Sequence, residues 1–241
     1  MFINPLIVAL DLSDAETLRT FCYQLGKIAG GLKIGKEAFT ALGPRAVEIA
    51  QRSGAAVFLD LKYHDIPNTV AHACRNATFM RVAMLTVHAL GGKTMMRKAV
   101  DATIDTAEQL NIPRPLIVAV TVLTSHDQTS LREIGIADSI NDEVVRLAAL
   151  AKASGVDGVV ASPQEVSTIR NAIGDDFVIV TPGIRPNQAS RAVMSDDQKR
   201  TADPASVMAQ GASYLVVGRP VTQASDPTAA CRSILDDMRP H

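Results

Sequence analysis

Short runs of β-branched and aliphatic residues recur along the chain, separated by longer stretches in which apolar residues fall at helical spacing. The runs are LIVALD (6–11), GLKIG (31–35), AVFLDLK (56–62), MLTVHA (84–89), LIVAVTVLT (116–124), DGVVASP (157–163), FVIVTPGIR (177–185) and YLVVGRP (214–220). Short, nearly continuous apolar runs between helical segments predict strands of a parallel sheet buried on both faces. Two intervening segments, AETLRTFCYQLGKIAG and NDEVVRLAALAKASG, carry amphipathic periodicity, the second opening on Asn141 or Asp142 as its N-cap. Eight such alternations in 241 residues predict an α/β fold, a single-domain (β/α)8 TIM barrel over residues 1–241. An open doubly wound sheet is the alternative, because strand count does not prove closure. No internal repeat, low-complexity tract or Pro/Gly/Ser linker divides the chain.

Polar residues gather at one end of these runs: Asp11, Lys33, Asp60, Lys62, His88, Thr124, Ser162, Arg185 and Arg219. Barrels and open α/β sheets both build their sites at that rim, where the loops after the strands converge. A chain leaving its core also shows polar residues there, and that reading suffices for Ser162 and weighs equally for His88. It does not account for two lysines with Asp11, Asp60 and nearby Asp65, since such groups are rarely buried unless paired. In VFLDLKYHDIPNT (57–69), the two-residue period of a strand puts Phe58, Asp60 and Lys62 on one face and Val57, Leu59 and Leu61 on the other. Asp60 and Lys62 then face the site, with Lys33 on the neighbouring strand. Asp65 follows the strand on a turn marked by Pro67 and Asn68, and need not face its own site. An alternating array of Lys33, Asp60, Lys62 and Asp65 would hold its members ionised, each offsetting the desolvation of the next.

TPGIRP and VVGRP follow the seventh and eighth runs, where barrels commonly bind phosphate through glycine N–H groups and an arginine. Gly218 and Arg219 are the phosphate candidates. Between Gly183 and Pro204 lies a polar stretch of about twenty residues, far longer than a usual connection, read either as a lid with Arg185 and Gln198 as contacts or as a surface excursion.

Composition narrows the function. A chain 47% hydrophobic and 20% charged, with net charge -1, has no basic footprint for nucleic acid. Cys22, Cys74 and Cys231 lie far apart without a CxxC pair, which argues against disulfides and zinc and makes them packing residues. The start, MFINPLIVALD, has no basic segment before its apolar run, and no run approaches the ~20 residues of a membrane span. A cytoplasmic protein acting on a small molecule is expected.

DLKYHDIPNT, with ALD in the first run, GLKIG in the second, TPGIRP in the seventh and VVGRPVTQA in the eighth, resembles the bacterial-type orotidine 5'-phosphate decarboxylase family over nearly the whole chain. D-x-K-x-x-D alone marks a wider suprafamily with metal-dependent sugar-phosphate decarboxylases and aldolases; HDIPNT is the more specific part. The resemblance implies conversion of orotidine 5'-phosphate to UMP and carbon dioxide, the last step of de novo pyrimidine synthesis, with no cofactor and no metal. It makes Lys62 the proton donor to C6 and puts Asp60 beside the departing carboxylate. Lys33 and Asp11 would contact the ribose, and Thr124, with neighbouring Ser125, the pyrimidine. Arg185, Gln198, Gly218 and Arg219 would hold the phosphate and close the lid. It also implies a homodimer in which Asp65 and Thr69 reach the partner's site, and leaves His64 a structural residue near the interface. The segment holding Gln198 is a few residues longer than the family's pattern.

Two other readings are open on the residues. A metal-dependent relative would need further carboxylates, and no Glu adjoins these strand ends in the sequence reading. A non-catalytic phosphate-binding barrel would have no use for Lys62 between two aspartates.

Overall fold

Each apolar run becomes a strand, and the strands are mostly shorter than the runs. In the computed structural model, which describes residues 2–185 and 202–239, they are β1 (Leu6–Ala9), β2 (Gly31–Gly35), β3 (Ala56–Tyr63), β4 (Met84–His88), β5 (Leu116–Val120), β6 (Gly158–Val160), β7 (Val178–Pro182) and β8 (Tyr214–Val217). All neighbours pair in parallel in sequence order, and β1 pairs with β8, Leu6 opposite Leu215, to close the barrel. Closure excludes the open-sheet alternative. The runs overreach because a strand ends where its neighbour stops offering ladder partners. After Val120, for example, Thr121 directs both its N–H and its hydroxyl to the Val160 carbonyl, and Thr124 lies in the turn beyond.

Helices α1 (Ala15–Leu25), α2 (Lys36–Leu42), α3 (Arg45–Arg52), α4 (Pro67–Phe79), α5 (Gly92–Leu110), α6 (Gln128–Glu133), α7 (Ile140–Ala153), α8 (Val166–Ile173), α9 (Pro204–Ala209), α10 (Arg219–Thr222) and α11 (Pro227–Asp237) connect the strands. Side-chain caps start several of them: Asp14, Asp127, Asp203 and Asp226 each accept a backbone N–H of the first turn, satisfying a donor the helix itself cannot. The expected cap of α7 at Asn141 or Asp142 is corrected to Ser139, whose hydroxyl accepts from the Asp142 N–H. Asp142 instead lies in the first turn, where a carboxylate favours the positive end of the helix dipole. Among the described residues no helix is long and apolar enough to cross a membrane.

The two-residue period sorts strand residues into two cores. Ile7, Ala9, Phe58, Met84, Val118, Val180 and Val216 fill the barrel interior. Their neighbours Val8, Val57, Leu59, Leu85, Ile117, Ile179 and Leu215 pack outward beneath the helices. Cys22, Cys74 and Cys231 are free and buried in that outer layer, as packing residues should be. At the opposite rim, the Arg114 guanidinium spans the Asp157 carboxylate, which also accepts the Ile117 N–H at 2.7 Å and so ties β5 to the start of β6.

The interior plug is the floor on which the upper rim stands. Phe58→Ala should destabilise the protein by about 3–5 kcal/mol, read as a lower urea midpoint at unchanged slope. A midpoint equal to wild type would show that the plug carries no such weight.

Candidate active site

The upper rim opens into a cavity of about 480 Å³, a size suited to a small ligand. Its chemistry is divided. Asp11, Lys33, Asp60 and Lys62 line one side, Val120, Val160, Ala161 and Val180 another, and Gly183, Arg185, Gly218 and Arg219 a third. Because β8 pairs with β1, the glycine and arginine side adjoins the charged side; a Cβ on Gly218 would lie 3.5 Å from that of Ala9.

The charged side is a chain of alternating sign. Lys33 Nζ lies 3.2 Å from Asp11 Oδ1 and 3.4 Å from Asp60 Oδ2, and Lys62 Nζ donates to both Asp60 oxygens at 2.8 Å. Lys33 and Asp60 are buried, 9% and 8% exposed, while Asp11 is half exposed. Burial is the largest influence on Asp60 and acts to raise its pKa. The charges of Lys33 and Lys62, with hydrogen bonds from Lys62 and Thr86, outweigh it and leave the carboxyl below its ordinary range. For Lys33 burial again leads and acts downward, but Asp60 and Asp11 together lift the ammonium above its usual value. Both therefore stay ionised, out of water, at neutral pH.

The backbone is shaped around this chain. Gly35 pairs with Asp60 across β2 and β3, and a Cβ there would lie 2.6 Å from Asp11 Oδ1 and 2.9 Å from Lys33 Nζ, so a side chain would occupy the place of the ions. Lys62 itself has φ +54°, the left-handed region, which costs a non-glycine residue about 1–2 kcal/mol. The β3–β4 register shifts between Leu59 and Tyr63 at the same place. Lys62 thus reaches Asp60 from a bulged strand end rather than by plain alternation, although Phe58 and Asp60 do share the inward face.

Within one chain Asp65 stands outside the array: it is exposed and its Oδ1 accepts the Ile66 N–H at 2.6 Å, and Asp11 is the aspartate that meets Lys33 there. Thr69 is likewise exposed, in the first turn of α4, and neither residue lines the cavity. Thr124 lines it and Ser125 does not. Arg185 lies in the cavity wall, where its N–H meets the Ala202 carbonyl and Ile184 bridges Ala202, drawing together the two ends of the long segment after β7. Gln198 falls outside the described residues. Ser162 caps the short turn after β6 and accepts from the Gln164 N–H, as its structural reading has it. His88 stacks on exposed His64, ring centroids 5.2 Å apart, and its Nδ1 is buried without a hydrogen-bond partner.

Two participants were not foreseen. Glu37, in the first turn of α2, lines the cavity and accepts from the Ser13 hydroxyl at 3.0 Å, correcting the expectation that no Glu adjoins a strand end. Its place just past β2 was the available signal. Thr86 is fully buried, donates to Asp60 Oδ1 at 3.0 Å and accepts the Lys62 N–H at 2.8 Å. It lies in phase with Met84 and His88, but a strand threonine is too common to stand out. Among the described residues no three His, Cys, Asp or Glu side chains converge as a metal site.

The model of the "Orotidine 5'-phosphate decarboxylase / HUMPS" family matches residues 4–234. The chain is 50% identical over 236 residues to an orotidine 5'-phosphate decarboxylase of Moorella thermoacetica, covering 98% of this chain and 92% of that one. It is 47% identical to one of Geobacter sp. strain M21, covering 98% and 96%. The crystal structure of an orotidine 5'-phosphate decarboxylase from Lactobacillus acidophilus superposes with a TM-score of 0.84 at 38% identity, over 98% of this chain and all of that one.

Burial, with the charges of His64 and Lys62 behind it, pushes the His88 pKa down to about 4. An unfolded histidine titrates near 6.5, so this group favours folding fully above about pH 6.5 and less so as pH falls toward about 4. Urea midpoints should fall across that window in wild type and fall less in His88→Gln. Parallel curves for the two proteins would remove His88 as the source.

Proposed function

The chain belongs to the orotidine 5'-phosphate decarboxylase / HUMPS family, and on that premise we propose how its rim removes carbon dioxide from orotidine 5'-phosphate to leave UMP. Breaking the bond from C6 to the carboxylate leaves an electron pair in the plane of the pyrimidine, where no conjugated group accepts it. The Lys62 ammonium stabilises that pair as it forms, then gives it a proton, becoming a neutral amine that recovers its proton from solvent. The observation that carries this reading is the double contact of Lys62 Nζ with buried Asp60, which fixes a cation at the edge of the cavity. Asp60 acts first as the group that aims Lys62. Lys33 and Asp11 hold the ribose, and Thr124 contacts the base.

The phosphate is assigned to Gly218 and Arg219, with Arg185 and Gln198 closing over it. Contacts so far from C6 can still lower the chemical barrier, because binding energy won at the phosphate is available to order the reacting end. No metal or cofactor is required in this scheme, since the electrophilic role belongs to Lys62. Each chain acts as a single catalytic domain, and the active form is a cytoplasmic homodimer. Supporting it, Asp65 and Thr69 are exposed beside Ile66, an apolar side chain 67% exposed that a second copy would cover. Asp65 and Thr69 then complete the partner's site.

Lys62→Ala should lose more than about 10⁴-fold in turnover, as charge stabilisation and proton donation fail together, while UMP binding survives. Absorbance assays of orotidine 5'-phosphate with excess EDTA test both parts: near-normal turnover by the variant removes Lys62 from the role, and loss of wild-type activity favours a metal-dependent reaction. Mixing inactive Lys62→Ala and Asp65→Ala proteins should restore partial activity through mixed dimers. No recovery after demonstrated subunit exchange would count against Asp65 acting across the interface.

A further inference from the structure

We propose that Thr86 is a positioning residue for decarboxylation, whose one hydroxyl aims the Lys62 ammonium by holding the Lys62 backbone and the Asp60 carboxylate together. This rests on Lys62 as the proton donor. Thr86 lines no part of the cavity, so it acts through these two residues and not on substrate.

The polarity of its contacts is forced. The Lys62 N–H, 2.8 Å away, can only donate, and the Asp60 carboxylate, 3.0 Å away, can only accept. Thr86 Oγ1 therefore takes the N–H on a lone pair and gives its single proton to Asp60 Oδ1. At the backbone end this contact satisfies an N–H at the register shift of β3 against β4, on a residue with left-handed φ. Without it, this donor would lose its partner and, past Leu59, only the pairing of Tyr63 with Val87 would tie the bulge to β4. At the carboxylate end, fixing Oδ1 sets the rotation of the group, so that Oδ2 faces Lys33 at 3.4 Å while Lys62 Nζ spans both oxygens. Lys62 is thus held twice, at its own peptide and at its ammonium's counter-ion, and one buried oxygen joins the two constraints.

Thr86→Val keeps the shape and deletes both bonds; Thr86→Ser keeps both. Misplacing a reacting group by about an ångström costs on the order of 10²-fold in rate. Accordingly kcat for orotidine 5'-phosphate should fall by at least about tenfold in Thr86→Val and stay within about threefold in Thr86→Ser, with KM little changed in either. Thr86→Ala, which lacks the hydroxyl in a smaller side chain, should match the valine variant. A Thr86→Val kcat within about twofold of wild type overturns the proposal, as does a serine variant as slow as the valine one. If both hydroxyl-free variants fail to fold, Thr86 is a stability residue and the proposal also fails. Lys62→Ala assayed alongside separates the two readings: its inactivity with a fast Thr86→Val rejects only the positioning role, whereas its near-normal turnover rejects the donor assignment beneath it.

Discussion

Asp60 is out of water with an ammonium on either side, and much of the rim follows from keeping it there. Burial alone would push the carboxyl toward its protonated form and Lys33 toward its neutral one; together each offsets the other's desolvation. Such a network is a poor way to gain stability, because apolar side chains of the same size often pack as well without the desolvation cost. Its neighbours yield to it. Gly35 gives up a side chain, β3 gives up regular pairing, and Lys62 accepts an unfavourable backbone angle. Three local concessions around one ionic chain point to chemistry as the reason for the arrangement.

The cavity sets fixed ions against a wall of valine and alanine. That contrast suits a reaction that turns a charged carboxylate into a neutral gas. In the proposed mechanism the ions would hold the ribose and the emerging carbanion, and the apolar wall would offer carbon dioxide a surface without charge. Closure of the barrel brings the glycine and arginine side round to the charged side, so one small molecule could meet both.

The fold was largely legible because alternation and apolar continuity are local properties, and all eight runs became strands. Strand ends were less so, since they depend on what the neighbouring strand offers, and LIVAVTVLT, strand only as far as Val120, is a clear case. At the site, Lys33 and Asp60 were readable from type and phase, and Lys62 from its type and its place at the strand end, the bulge having broken its phase. That Asp65 stands apart from the array of its own chain was foreshadowed by the turn residues after it, whereas the contact of Asp11 with Lys33 depends on how far that lysine reaches. Thr86 was hidden by its ordinariness, because its importance lies in two hydrogen bonds across strands and not in its residue type. The left-handed angle of Lys62 has no sequence mark at all, since nothing about a lysine announces it.

The pairing of β1 with β8 joins Leu6 to Leu215, segments far apart in the sequence. During synthesis the strands bearing Asp11, Lys33, Asp60 and Lys62 emerge long before the strand that leads to Gly218 and Arg219. A growing chain therefore carries its ionic side for most of its production without the glycine and arginine wall beside it, and with two strand edges not yet paired with each other. The last strand to arrive pairs with both edges. Completing the barrel thus finishes the cavity as well, since Val216, Gly218 and Arg219 arrive only with the last strand and the turn after it.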